Sequence, residues 1–398
     1  MEKRVIRDPI HGYIHVSEQL IWDLINTREF QRLRRIRQLG STPVVFPSGT
    51  HTRQLHSLGA YEVARRMLEE VDDLKDALNE REKLCVLAAA LLHDVGHAPF
   101  SHSFEAIMDC RHEDYTIRII MGPSEVNEVL NHVDDRFASE VASVIDHTHP
   151  NTILSQMISS QLDADRLDYL LRDSYYTGTA YGKVDLDRIL RTMRVRDNTL
   201  AVKQSSIYTV ESYIMSRYHM YWQVYFHPTS RSFDSILKSL FLRLKDLYRQ
   251  DKSIADEYPM YKVMLEKRWL DNEEFFMLDD DTCSYSFNLM RHSKDPILRD
   301  LAVRIMDRHL FEYTSSENEE ALTEACLRKG YDPRYYVIKD HQRQIPYLPY
   351  LGNGSDNIWL AMDNGELKEL SEVSTVVGSL MDINEQDERV FYPREILK

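Results

Sequence analysis

Apolar positions recur at helical spacing through most of the first 270 residues. In segment 21–39, Leu24, Ile25, Phe30, Leu33 and Ile36 form one stripe with Arg32, Arg34, Arg35 and Arg37 between them. This pattern predicts a single amphipathic helix with an arginine-rich face, ended by Gly40 and Ser41-Thr42-Pro43. Segment 59–68 predicts another helix, and 82–92, which contains the run CVLAAALL, a buried one. Segments 152–171, 184–193, 207–225 and 232–249 continue the helical pattern, with a short ribbon expected at 201–208. Segment 271–281 (DNEEFFMLDDD) reads as an acidic loop. Beyond Tyr331 the runs RYYVIKD, NIWLAMD and RVFYPREI, separated by Gly, Asn and Asp, predict short strands. The expected fold class is mainly α: a helical body over residues 1–270 and a smaller mixed α+β lobe over 271–398.

Composition narrows the class. The 398 residues are 43% hydrophobic and 28% charged, ordinary for a globular chain. No run of about 18 apolar residues predicts a membrane span, and the start MEKRVIRDPIHG lacks the apolar core of a secretory signal. The four cysteines (Cys85, Cys110, Cys283, Cys326) form no CxxC pair, which fits a reducing, cytoplasmic setting. A net charge of −15 argues against a nucleic-acid coat. The charge is uneven, however. Residues 1–60 hold nine Lys/Arg against five Asp/Glu, a local +4.

Histidine is the unusual entry, 16 in all with several in two short windows. His56 heads a helical segment; His93-Asp94 ends the buried run; His97, His102, Glu105 and His112 follow; Asp165 lies in LDADRLDYLLRD. A lone histidine on an apolar helix is usually a hydrogen-bonded core residue. Burying an imidazole and a carboxylate side by side is costly unless both are paired or bind metal. Two imidazoles and two carboxylates suit a divalent transition metal with positions left for water and a substrate oxygen. Asp165, Tyr169, Arg172 and Asp173 share one helical face at i, i+4, i+7 and i+8.

The order H…HD…D resembles the HD-domain phosphohydrolases. The flanking segments KRVIRDPIHGYI, FQRLRRIRQLG, VVFPSGTHTRQLHSLG, LLHDVGHAPFSHSFE, HED and DADRLDYLLRD resemble, more narrowly, the deoxynucleoside triphosphate triphosphohydrolases, from Lys3 to about Arg231. The resemblance implies an HD-type helical body and a divalent ion (Mn, Mg, Fe, Co, Ni or Zn) on His56, His93, Asp94 and Asp165. It implies Glu105 and His112 as a carboxylate–histidine pair at the α-phosphate, with His97 and His102 near the phosphates. Arg53, Arg166 and Arg217 would hold phosphate, and Tyr169, Asp173, Gln38 and Leu39 the sugar. Tyr221 stands where relatives carry a histidine. An activating nucleotide between subunits would meet Arg4, Val5, Gln31 and Arg34. Asn26 takes the place of a guanine-reading Asp there, and Arg188 and Lys203 match a second activator position. A homotetramer acting on dNTPs, with no membrane or nucleic-acid partner, is the expectation. Two other classes fit less of the pattern: an HD phosphohydrolase of cyclic dinucleotides or alarmones, and a non-catalytic nucleotide-sensing scaffold.

Overall fold

The structure, a computed structural model, describes residues 3–108, 110–266, 269–344, 347, 357–381 and 385–398, without the side chains of His102, Ala106 and Gln344. It is mainly helical, with the sheet confined to short ribbons. Strands β1 (Arg4–Asp8) and β2 (Gly12–Val16) form an antiparallel hairpin. Helices α1 (Gln19–Asn26) and α2 (Arg28–Arg32) follow. The single helix expected over 21–39 is thus broken at Thr27, whose ψ of 148° is extended. The Thr27 hydroxyl donates to the Leu24 carbonyl and accepts from Phe30 N–H, so this side chain ends one helix and caps the next. The break splits the arginine face. Arg32 turns inward, donating to the carbonyls of His97 (2.8 Å) and Leu278 (2.6 Å), while Arg34 and Arg35 stay exposed.

Three helices build the body around the later site. The 18-residue α3 (Arg53–Glu70) packs against both α4 (Glu80–Leu92) and a later helix, Ala164–Thr177. Asn79 and Glu82 cap α4 reciprocally, and its CVLAAALL run is wholly buried, as its composition requires. Helices α5 (His102–Met108) and α6 (His112–Met121) follow, then α7 (Thr152–Ile158) and α8 (Ala164–Thr177). The continuous helix expected over 152–171 is interrupted, because Asp163 caps α8 by accepting from Arg166 N–H. Gly59 is required where α3 meets α8: a Cβ there would lie 1.9 Å from Asp168 Oδ1.

The ribbon falls earlier than expected, as β3 (Met193–Arg196) and β4 (Thr199–Lys203) joined through Asp197 and Asn198, both at positive φ. Helix α9 (Ile207–Met220) ends in a π-type turn, Tyr221–Tyr225, before α10 (Pro228–Gln250). The acidic segment 271–281 is not a loop. Asp271 and Asp279 are N-caps, of a short helix (Asn272–Phe276) and of α11 (Asp280–Met290), since carboxylates satisfy the free N–H groups of a helix start.

Strands β5 (Glu312–Ser315), β6 (Ile338–Gln344), β7 (Trp359–Ala361), β8 (Leu367–Glu369) and β9 (Glu385–Tyr392) complete the sheet content. Their order is β5-β9-β6 in one sheet, while β7 pairs in parallel with β4 to extend the ribbon to β3-β4-β7-β8. The C-terminal region is thereby stitched to the helical body. Among the described residues no helix is long and apolar enough to cross a membrane.

Candidate metal centre

The four metal-ligand candidates come from three elements of the packed core. His56 lies one turn into α3, His93 and Asp94 at the end of α4, and Asp165 in the first turn of α8. Because α3 packs on both partners, the side chains converge. His56 Nε2 is 3.3 Å from His93 Nε2, 3.0 Å from Asp165 Oδ1 and 3.7 Å from Asp94 Oδ2; His93 Nε2 is 3.5 Å from Asp94 and 3.8 Å from Asp165. His56, His93 and Asp165 are close enough to hold one ion, while Asp94, His97 and His112 form a second compact group beside them.

The hydrogen bonds fix what these nitrogens offer. His56 Nδ1 bonds Asp168 Oδ2 at 2.8 Å and His93 Nδ1 bonds the Ala90 carbonyl at 2.9 Å, so each ring, in its neutral form, carries its proton on Nδ1. Two Nε2 lone pairs then face each other beside two carboxylates, an arrangement that calls for a cation. The carboxylates favour positive charge here. Burial pushes the His56 imidazole down, but the hydrogen bonds it donates to the Asp165 and Asp168 carboxylates outweigh burial and hold it up at about 10. Burial opposes charge on Asp165 too, yet the two imidazoles keep it well below the usual carboxylate range. The donor set therefore fits a divalent ion; N and O ligands without thiolate admit several.

The second group is built by the turn after α4. Gly96 lets this turn lie against α6, where a Cβ would meet the His112 carbonyl at 2.3 Å, and the Thr116 hydroxyl bridges the His93 carbonyl and Gly96 N–H. The His97 and His112 rings consequently stack at 3.7 Å. His112 Nδ1 is held by Glu105 Oε1 at 2.5 Å. His97 is pushed well below the usual imidazole range by burial, then by Arg53 and His112. The Arg53 guanidinium is buried against Asp94 and donates to the Ser101 hydroxyl at 2.8 Å. Phe100 and Ser101 both sit at positive φ (55° and 51°), a strained pair of non-glycine residues in the loop that shapes this wall.

These groups open onto a cavity of about 780 Å³, within the range of small-molecule sites. Gln38, Leu39, Arg53, His93, Asp94, His97, His112, Asp165, Arg166, Tyr169, Asp173 and Tyr221 all line it. Asp173 accepts from His51 Nε2 (2.7 Å) and the Tyr225 hydroxyl (2.8 Å). Tyr169 stands edge-on between His56 and Tyr225, and Tyr221 edge-on to Tyr225. Arg166 is tethered to Asp163. Arg217 turns to Gln161 (2.5 Å) and is not among the lining residues. His102 opens α5, but its side chain lies outside the described residues. The seven residues expected at an activator also lie away from this cavity. Arg4 covers the Trp22 ring, Asn26 donates to the Trp22 carbonyl, Gln31 to that of Ile25 and Arg34 to that of Gln31. Val5 and Lys203 are exposed, and Arg188 donates to the Ser205 carbonyl.

Sequence reasoning missed several wall residues. Tyr225 is one turn beyond Tyr221, a spacing that was available. Asp340 and Gln342 reach the cavity from β6, together with Arg231, Asp234 and Lys238 of α10. Asp168, the partner of His56, is three residues from Asp165 on the same face, but there it resembles an ordinary i,i+4 partner of Arg172.

The sequence matches the HD domain over residues 53–173 and the HD associated region over residues 184–257. The uncharacterized protein YwfO of Bacillus subtilis is 44% identical over 405 residues, covering 100% of this chain and 93% of YwfO. The crystal structure of a phosphohydrolase from Bacteroides thetaiotaomicron superposes with a TM-score of 0.87 at 28% identity, covering 99% of this chain and 100% of that one. The deoxynucleoside triphosphate triphosphohydrolase SAMHD1 homolog of Dictyostelium discoideum is 29% identical over 328 residues, 78% of this chain and 60% of that protein.

Proposed function

The chain belongs to the HD-domain family and carries the His/Asp set of a metal-dependent phosphohydrolase; we propose that its substrate is a deoxynucleoside triphosphate, cleaved to the deoxynucleoside and inorganic triphosphate. One observation carries this reading. A single cavity runs between imidazole and guanidinium groups at the His/Asp cluster and an aromatic wall holding a carboxylate, Tyr169, Tyr221, Tyr225 and Asp173. That is the polarity of a polyanion joined to a sugar. The resemblance to triphosphohydrolases, and the Dictyostelium relative's name, point the same way.

His56, His93, Asp94 and Asp165 would hold a divalent ion, which would supply charge neutralisation at the phosphate and a lowered pKa for water. The chain's own groups do the rest. Arg53 and Arg166 offer planar donor forks to phosphate oxygens. Glu105 orients the cavity-lining His112 through Nδ1, with His97 stacked beside it, a carboxylate–imidazole pair suited to proton transfer. Asp173 keeps unused lone pairs after binding His51 and Tyr225, enough to accept a 3′-hydroxyl. The Tyr225 ring, pinned by its bond to Asp173, limits room beside the sugar and favours deoxyribose over ribose. Gln38 and Leu39 border the same sugar, and Tyr221 the base.

The reading extends to regulation. The exposed group Arg4, Val5, Asn26, Gln31 and Arg34 would take an activating nucleotide between subunits of a homotetramer, with Arg188 and Lys203 at a second position. Incubating the protein with each dNTP singly and in pairs, with Mn or Mg, tests the whole. Deoxynucleoside and triphosphate in equal amounts are expected, with a faster rate for some pairs. Turnover of a cyclic dinucleotide or an alarmone instead would replace this reading with another phosphohydrolase. Light scattering with and without dNTPs tests assembly; monomer under both conditions removes the tetramer.

A further inference from the structure

The turn of the first hairpin ends inside the molecule, against the back of the metal centre. Asp8 Oδ1 accepts from the backbone N–H groups of Ile10 (2.8 Å) and His11 (2.9 Å), which closes the turn, and Asp8 Oδ2 accepts from Arg172 Nη1 at 2.8 Å. Arg172 in turn grips Asp168 through Nε and Nη2, both at 2.9 Å. His11 Nε2 bonds Asp168 Oδ1 at 2.7 Å. Asp168 Oδ2 bonds Nδ1 of His56 at 2.8 Å. The side chains of His11, Asp8, Asp168, Arg172 and His56 are each at most 3% exposed. Gly59 clears the space, since any side chain there would strike Asp168 and Arg172 together.

Asp168 therefore receives four N–H donors, as many as a carboxylate has lone-pair sites. Two come from Arg172, one from the hairpin turn, one from a metal-ligand candidate. A carboxylate behind a ligating histidine sets its tautomer and ring plane, and loss of such a partner weakens metal binding. Here that carboxylate is itself held from the other side by a residue 157 positions away in sequence.

We propose that His11 is a positioning residue for the metal centre: through Asp168 it fixes the His56 imidazole, so that metal affinity depends on the hairpin turn being seated. The inference rests on the metal reading given above. Coupling of this kind is reciprocal, so a bound ion also tightens the turn. Strand β1, which enters the turn, carries Arg4 and Val5, so this chain of bonds runs from the basic N-terminal surface to the centre.

The test uses the full-length protein stripped of metal by chelation and titrated with Co²⁺ followed by visible absorption. His11→Phe keeps a ring and removes the donor; His11→Gln keeps an N–H donor. His11→Phe is expected to weaken Co²⁺ binding about tenfold, with helical circular dichroism unchanged, and His11→Gln to stay within about threefold of the wild type. Equal Co²⁺ affinity for wild type and His11→Phe overturns the proposal. Should His11→Phe not fold, hydrogen exchange on the wild type decides: the amides of Ile10 and His11 should exchange more slowly with Co²⁺ than without, and equal rates overturn it. A wild-type protein that binds no Co²⁺, Mn²⁺ or Zn²⁺ removes the metal reading itself, an outcome distinct from metal binding that ignores His11.

Discussion

Around His56 the charged groups are buried or half-buried and tied to residues distant in sequence, whereas on the N-terminal surface Asn26, Gln31 and Arg34 bond, among the described residues, to backbone a few residues away. Both regions are built from the residue types that bind phosphate and metal. They differ in what holds their polar atoms. At the centre the nitrogens and carboxylates are pre-oriented, and the cost of holding them together was met by folding. On the surface Arg34 and Val5 stay solvated, so any partner there must order them itself. The first arrangement suits chemistry that tolerates little displacement; the second suits a reversible binding event whose strength varies with the ligand.

The comparison breaks most sharply at the ligands. His93→Ala or Asp165→Ala should cut triphosphate release by about a thousandfold, while the unfolding midpoint shifts little once chelator has removed metal from both proteins. Activity within tenfold of wild type for either variant would make the cluster structural.

Next in size is the packing behind the centre. Gly59→Ala forces its Cβ to within 1.9 Å of Asp168 and 2.3 Å of Arg172. We expect a loss of about 2–3 kcal/mol in denaturant unfolding, together with weaker metal binding. A variant as stable as wild type would show that α3 and α8 can separate without consequence.

A smaller effect sharpens the role of the C-terminal region. Asp280 accepts from the backbone N–H of Arg37 (2.6 Å) and of Phe100 (3.1 Å), in the strained loop, and burial pushes its carboxyl up to about 6. A folded-state pKa raised above the unfolded value of 3.8 means the native state holds the proton longer. Its contribution to stability is therefore greatest at low pH and falls as pH rises from about 4 through 6. The stability difference between wild type and Asp280→Asn should shrink across that window and level off above pH 7. Chemical denaturation at four pH values checks it, and a difference that grows instead contradicts the assignment.

Smallest should be the surface. Arg34→Ala and Gln31→Ala are expected to change Co²⁺ affinity less than twofold, because neither touches the buried cluster, yet to blunt acceleration by a second dNTP. An unaltered response to nucleotide pairs in both variants would detach this surface from regulation.

Much of the centre was legible in one dimension. His93-Asp94 directly after CVLAAALL marks a buried imidazole and carboxylate, and a helix that apolar has no other place for them. The helical body and the buried α4 likewise follow from periodicity, and the C-terminal strands in part: the start of RYYVIKD lies in the helix Pro333–Tyr336 and the end of RVFYPREI in the helical turn Arg394–Leu397. The failures share a cause: capping by a single polar side chain. Thr27 ended one helix and capped the next, Asp163 began α8 within an apolar period that ran on through it, and Asp271 and Asp279 began helices in a segment that composition marked as loop. Periodicity reports which face is buried, and a cap is a local hydrogen bond that leaves no periodic trace.

By itself, then, the sequence determined the residue types at the centre, the helices that carry them and the mainly α class, because burial pattern and side-chain chemistry are properties of the chain. Only the tertiary structure decided that His56 shares Asp168 with His11, that Arg32 serves the core while Arg34 faces solvent, and that β6 supplies Asp340 and Gln342 to the cavity. Those facts depend on which helix faces which, and Gly59 and Gly96 show the reason. At Gly96 another backbone approaches closely, and at Gly59 the Asp168–Arg172 side-chain pair, because a side chain is missing, and a missing side chain reveals nothing of its neighbours until the chain is folded.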